Sequence, residues 1–140
     1  MADEILIVDD EADIRSLIAE ALQDEGYTTR EAPDSVSALN TIAIRRPSLI
    51  LLDIWLQGSP LDGLQILNEV KMIYSDIPII MMSGHGTIET AVSAIKDGAY
   101  DFIEKPFKTD RLLLQIERAI EAARTKRELA ELKLRSESSS

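Results

Sequence analysis

The chain has no cysteine, so its 140 residues hold no disulfide, no thiolate metal site and no thiol nucleophile. Positive charge is scarce: 15 Lys and Arg stand against 25 Asp and Glu, a formal net charge of -10. That balance is the reverse of a nucleic-acid footprint or a surface built for anionic lipid, so this domain is expected to contact neither directly. No apolar run approaches the roughly 18 residues a membrane span needs. Met1-Ala2-Asp3-Glu4 lacks the basic stretch that opens a secretory signal, and the expected location is the cytoplasm. Internal repeats and Gly/Pro-rich linkers are missing too. What the chain does have is 45% hydrophobic and 29% charged residues, as in a soluble globular domain. Its length suits one core rather than two.

The charge is uneven. Residues 1–118 carry 10 Lys and Arg and 21 Asp and Glu, a balance of -11; residues 119–140 carry 5 and 4, a balance of +1. The excess acid belongs to the body. The end is a mixed-charge tail closing on Ser136-Glu137-Ser138-Ser139-Ser140, a composition expected to be disordered.

Five short runs read as strands: Ile5–Val8, Tyr27–Arg30, Leu49–Leu52, Ile79–Met82 and Asp101–Ile103. The first, third and fourth are apolar at every position, as strands covered by helices on both faces are. Helical periods lie between and after them. Ile14, Leu17, Ile18, Ala21 and Leu22 end at Gly26; Val36, Leu39 and Ile42–Ala43 end at Pro47. Leu64, Leu67, Val70 and Ile73 follow Gly63; Ile88, Ala91, Val92 and Ile95 run to Gly98; Leu112, Ile116, Ala119, Ile120 and Ala123 open the last helix. Strict βα alternation predicts a doubly wound (βα)5 α/β fold: a five-stranded parallel sheet of flavodoxin-like order 2-1-3-4-5, with an extended C-terminal helix.

In such a sheet, ligands bind beyond the carboxyl ends of the strands. The first run is followed by Asp9, Asp10 and Glu11, the third by Asp53, the fourth by Ser83-Gly84-His85-Gly86, and the fifth by Lys105-Pro106. One crevice then gathers three carboxylates, a hydroxyl and a single ammonium. Such a cluster either raises a pKa or binds a hard cation. Oxygen ligands without Cys or an adjacent His select Mg²⁺ or Mn²⁺ over Zn²⁺. Because Mg²⁺ takes few protein carboxylates and binds substrate phosphate, the crevice points to phosphoryl chemistry.

The combination Ile7-Val8-Asp9-Asp10-Glu11, Leu52-Asp53-Ile54, Met82-Ser83-Gly84 and Phe102-Ile103-Glu104-Lys105-Pro106-Phe107 resembles the receiver domain of two-component response regulators. Residues from Ser83 to Phe107 are most similar to the nitrogen-regulation (NtrC/NtrX) type. The resemblance implies that Asp53 accepts a phosphoryl group from a sensor histidine kinase. It implies that Asp10, Asp53 and the Trp55 backbone carbonyl hold Mg²⁺ (or Mn²⁺), with Asp9 acting through water. It also implies that Lys105 and Ser83 bind phosphoryl oxygens, that Phe102 is the aromatic that moves with Ser83, and that the Lys105–Pro106 peptide is cis. The implied output is a homodimer face on the fourth helix, fifth strand and fifth helix, with Ile95, Lys96, Asp97, Tyr100, Asp101, Arg111 and Arg118. Residues 1–122 would form the receiver and 123–140 a linker helix and Ser-rich tail. They would lead to AAA+ ATPase and DNA-binding domains that this sequence does not contain.

One departure stands out. The segment between Asp53 and Gly63 is about two residues longer than receivers usually carry, with Gln57-Gly58-Ser59-Pro60 reading as an added turn beside the acceptor. The sole histidine, His85, sits between glycines and reads as a loop residue. Trp55 reads as rim cover and a reporter of metal. The alternative function is an Mg²⁺-dependent phosphohydrolase with an aspartyl-phosphate intermediate, which would want a second Asp where Trp55 stands. A flavin module would want a phosphate loop where Asp9-Asp10-Glu11 stands. The expected role is therefore a phosphoacceptor signalling domain and not an enzyme.

Overall fold

The computed structural model describes residues 3–84 and 88–138. In chain order the elements are β1 (Glu4–Val8), α1 (Ala12–Asp24), β2 (Thr28–Ala32), α2 (Ser35–Ile44), β3 (Leu49–Asp53), α3 (Gly63–Ile73), β4 (Ile79–Ser83), α4 (Ile88–Lys96), β5 (Asp101–Glu104) and α5 (Thr109–Ser138). All neighbouring strands pair in parallel, in the order β2-β1-β3-β4-β5. This is the flavodoxin-like arrangement expected from the alternation.

The pleat sends alternate side chains to opposite faces, and each face has its own core. Leu6, Val8, Ile50, Leu52, Ile79 and Met81 pack under α2, α3 and α4. Ile5, Ile7, Leu49, Leu51, Ile80 and Met82 pack under α1 and α5. That is why these strands are apolar at every position: neither face meets water.

Local signals position the helices. Gly26, at φ +93, closes α1, and the Tyr27 N–H donates back to the Leu22 carbonyl at 3.1 Å. The Asp34 side chain caps α2. Asp62 and Gln65 cap α3 reciprocally.

Three details differ from the sequence reading. β2 starts one residue and ends two residues further on than its apolar content suggests, so Glu31 and Ala32 belong to the strand. Its polar residues hide an edge strand whose Arg30 guanidinium pairs with Glu4 at 2.6 Å. Second, Leu17, Val36 and Val92 point outward, while Ala19, Ala38, Ala91 and Ala94 are buried. Small residues let these helices approach the sheet, which leaves the longer neighbours on the flanks. Third, α5 continues as helix through Ser136, where composition suggested disorder. Serine is only a moderately poor helix former, and the preceding turns propagate through it.

Gly63 marks the tightest approach. A Cβ there would lie 2.1 Å from the Asp53 carbonyl and 2.7 Å from the Ile54 Cα. Backbone atoms offer no flexible way out, so Gly63→Ala is expected to destabilise the fold by roughly 3 kcal/mol or more. A urea melt of the variant against the parent measures it, and an unchanged midpoint would refute the packing argument.

Candidate functional site

The strand tips sort the polar residues by the same alternation. Asp9 continues the parity of Ile5 and Ile7, Asp53 that of Leu49 and Leu51, and Lys105 that of Ile103, all on the α1–α5 face. Ser83 continues the parity of Ile79 and Met81, and Phe102 packs against the core under α2, α3 and α4. Register places Asp53 beside Met82 and Ser83 beside Glu104.

The Lys105 Nζ donates to Asp9 Oδ2 at 2.7 Å and to Asp53 Oδ2 at 3.2 Å. Asp9 is fully buried, and its other oxygen accepts the Glu11 N–H at 2.9 Å. Asp53 is 7% exposed and Asp10 is half-buried. Each of Asp9, Asp10 and Asp53 offers a carboxylate oxygen, and these atoms lie within 4.8 Å of one another. The Lys105–Pro106 peptide is cis.

The electrostatics follow from one ammonium among three acids. Burial pushes the Asp53 carboxyl up, Lys105 pulls it down, Asp9 and then Asp10 push it up again, and the balance stands at about 6. Burial lowers the Lys105 ammonium, but its bond to Asp9 and the charges of Asp53 and Asp9 outweigh that and hold it above the ordinary lysine value. The cluster therefore suits a hard divalent cation on oxygen ligands and offers one carboxylate as a nucleophile.

Asp9, Asp10, Asp53 and Lys105 are thus brought together. Ser83 is fully buried at the tip of β4, its hydroxyl 3.5 Å from the Ile103 carbonyl, a long and weak bond. Trp55 has its indole 55% exposed, directly between buried Ile54 and Leu56. His85 lies outside the described residues. Of the residues offered for a dimer face, Ile95, Lys96, Asp97, Tyr100, Arg111 and Arg118 are exposed. Asp101 is half-buried, its carboxylate engaged by Gln115 Nε2 at 2.9 Å and the Phe102 N–H at 2.8 Å.

The sequence reading missed Arg15, one turn into α1. Its guanidinium donates to the Asp9 carbonyl at 2.6 Å and pairs with Glu31 at 3.3 Å, pinning the turn that carries the acids. The strand-tip position of Glu31 was the available signal. Ser35 and Ser59, which tie the segment after β3 to α2, are 24 positions apart; the turn holding Ser59 was legible, but its bond to Ser35 carried no signal.

Comparison with known proteins gives concordant findings. The family model described as the response regulator receiver domain matches residues 5–117. The nitrogen assimilation regulatory protein NtrX of Azorhizobium caulinodans is 61% identical over 133 residues, 95% of this chain and 29% of that protein. The DNA-binding transcriptional regulator NtrC of Escherichia coli is 34% identical over 116 residues, 83% of this chain and 24% of that protein. Among solved structures, NtrX from Brucella abortus superimposes with a TM-score of 0.90 at 61% identity, over 94% of this chain and 30% of that one. The receiver domain of NtrX from the same organism gives 0.82 at 63% identity, over 84% and 98%. The chain spans less than a third of the length of the curated relatives it matches.

Burying the Asp53 carboxylate, beside two more of like charge, has a measurable cost. The Asp53 carboxyl ionises at about 6 in the fold against an ordinary value of 3.8. A raised acid contributes stability that is complete below its unfolded value and lost as pH rises through its folded one. Without divalent cation, the protein therefore loses stability between about pH 4 and pH 7. Asp53→Asn is expected to raise Tm by a few degrees in chelator near neutrality, with the gain vanishing toward pH 4. Thermal melts at the two pH values check it, and equal melting of parent and variant near neutrality would refute it.

Proposed function

The chain belongs to the response regulator receiver domain family, and we propose that it takes a phosphoryl group from a sensor histidine kinase onto Asp53 and thereby switches a protein-binding face. The observation that carries this reading is the single ammonium of Lys105 shared by Asp9 and Asp53 among three converging carboxylates. The donor set fits Mg²⁺ or Mn²⁺: Asp10 and Asp53 with the Trp55 backbone carbonyl, and Asp9 through water. Once bound, the ion supplies positive charge against the phosphoryl oxygens.

Asp53 is the nucleophile: its carboxylate oxygen bonds phosphorus as the nitrogen–phosphorus bond of the donor histidine breaks, and the imidazole leaves with the electron pair. Lys105, already held by Asp9, is placed to exchange its bond to Asp53 for phosphoryl oxygens, so charge is neutralised by a group that needs little rearrangement. Beside Lys105, an apolar groove lined by Ile14, Leu17, Ile18 and Phe107 offers the kinase a docking surface. Trp55 occupies the place where a phosphohydrolase of this chemistry would carry its acid/base carboxylate, and turnover as an enzyme is not proposed.

The Ser83 hydroxyl, weakly bonded in this state, gains a strong acceptor when the phosphoryl group arrives. That differential interaction shifts a population toward the state in which Phe102 packs further inward. The face it biases carries exposed Ile88, Val92 and Ile95 of α4 and Tyr100 before β5, and is the proposed homodimer surface with α5. We assign residues 1–122 to the receiver and 123–140 to a linker. In a regulator of the NtrX type the linker leads to AAA+ ATPase and DNA-binding domains. The cytoplasm is the proposed compartment; no helix of the described residues is long and apolar enough to cross a membrane.

Intact mass after acetyl phosphate and Mg²⁺ tests the acceptor: the parent gains one phosphoryl group and Asp53→Asn gains none. Label persisting in the variant would sink the assignment. Mg²⁺ titration should change Trp55 emission, and Asp10→Ala should weaken the apparent affinity at least about tenfold; a silent parent would count against the metal ligands. Beryllium fluoride with Mg²⁺ is expected to drive self-association, read by sedimentation; an unchanged monomer would overturn the dimer face.

A further inference from the structure

The segment from Ile54 to Asp62 leaves and re-enters the fold at one point, where the Gly63 N–H donates to the Ile54 carbonyl at 2.8 Å. Its near half is anchored by burial of Ile54 and Leu56. Its far half turns at Gly58, at φ +76, where the Ser59 N–H donates to the Leu56 carbonyl at 3.3 Å. Gln57, Gly58 and Pro60 are exposed, and of this half only Leu61 packs against the core, partly buried. Hydrogen bonds hold the turn between.

Those bonds form a closed ring with α2. The Ser35 N–H donates to Ser59 Oγ at 2.9 Å, the Ser59 hydroxyl donates to the Leu61 carbonyl at 2.6 Å, and the Leu61 N–H donates to Ser35 Oγ at 3.2 Å. Ser35 is the first residue of α2 and is 2% exposed. Its N–H has no partner within the helix, so Ser59 supplies from another segment what a cap supplies locally. The two corners joined follow β2 and β3, and the strand between them is β1, whose tip bears Asp9 and Asp10.

We propose that Ser59 is a positioning residue: through Ser35 its hydroxyl fixes the backbone that follows Asp53, and so sets how fast water removes the phosphoryl group. This rests on Asp53 being the acceptor. In that step the water oxygen bonds phosphorus, the bond from phosphorus to the Asp53 oxygen breaks, and Asp53 regains its carboxylate with the electron pair. The proton passes to solvent and inorganic phosphate departs. The attacking water must reach phosphorus past residues 54–62, and a tied segment limits that approach. Ser59 touches neither the carboxylates nor Lys105, so its influence is through the backbone alone.

The test is the decay of label after acetyl phosphate is removed, followed by intact mass in Mg²⁺, with a thermal melt to confirm folding. Ser59→Ala is expected to lose phosphate about three- to tenfold faster than the parent, the effect of one hydrogen bond. Ser59→Thr, which keeps the hydroxyl, should stay near the parent rate. If Ser59→Ala does not fold, Ser35→Ala removes the return bond and is read in the same way. Decay at or below the parent rate in a folded, labelled variant overturns the proposal, as does Ser59→Thr decaying as fast as Ser59→Ala. A parent that never labels refutes the acceptor reading and this proposal together; a labelled parent with unchanged decay in Ser59→Ala refutes this proposal alone.

Discussion

One ammonium held between two buried carboxylates organises the molecule's business end. Two bare carboxylates about 5 Å apart repel by roughly 3 kcal/mol at an effective dielectric near 20, and here three converge. Lys105 relieves part of that repulsion and its own charge is stabilised in return, while burial, and after it the charges of Asp9 and Asp10, push Asp53 toward neutrality. The remaining deficit of positive charge favours a hard cation on those oxygens. Strain of this kind survives only on a rigid support, and the fully buried strands behind the cluster provide it.

The support also divides labour. Since alternate residues of one strand face opposite cores, the charged residues and the responsive ones lie on different sides of one sheet. Asp9, Asp53 and Lys105 belong to the α1–α5 side, Ser83 and Phe102 to the α4 side. On the proposed function, chemistry on one side is read out on the other through strands β4 and β5, which share a register and leave no room for slip.

Much of this was legible in the chain. Strands sealed on both faces betray themselves by unbroken apolar runs, and each such run was followed by residues of the candidate site: Asp9 and Asp10, Asp53, Ser83. Alternation with helices then dictated the strand order. β2 was misplaced because an edge strand need not be apolar, and Arg30 is covered by an ion pair that periodicity does not reveal. Leu17 and Val36 were assigned inward because hydrophobicity was weighed without volume, whereas close approach of helix to sheet selects alanine. The bonds of Arg15, Ser35 and Ser59 were invisible because they join groups, mostly backbone, that only the fold brings near. A hydroxyl that caps a distant helix looks, in sequence, like any loop serine.

Helix α5 is seated on the sheet by Leu112, Ile116, Ala119 and Ile120 and then runs on to Ser138, exposed from Arg124 to Ser136. At 1.5 Å per residue the part beyond residue 122 is about 24 Å long. A rod fixed at one end is a lever: a tilt of about 10° at its seat sweeps its far tip through about 4 Å. A rearrangement at the seat too small to be resolved as a change of fold is in this way magnified mechanically at the tip.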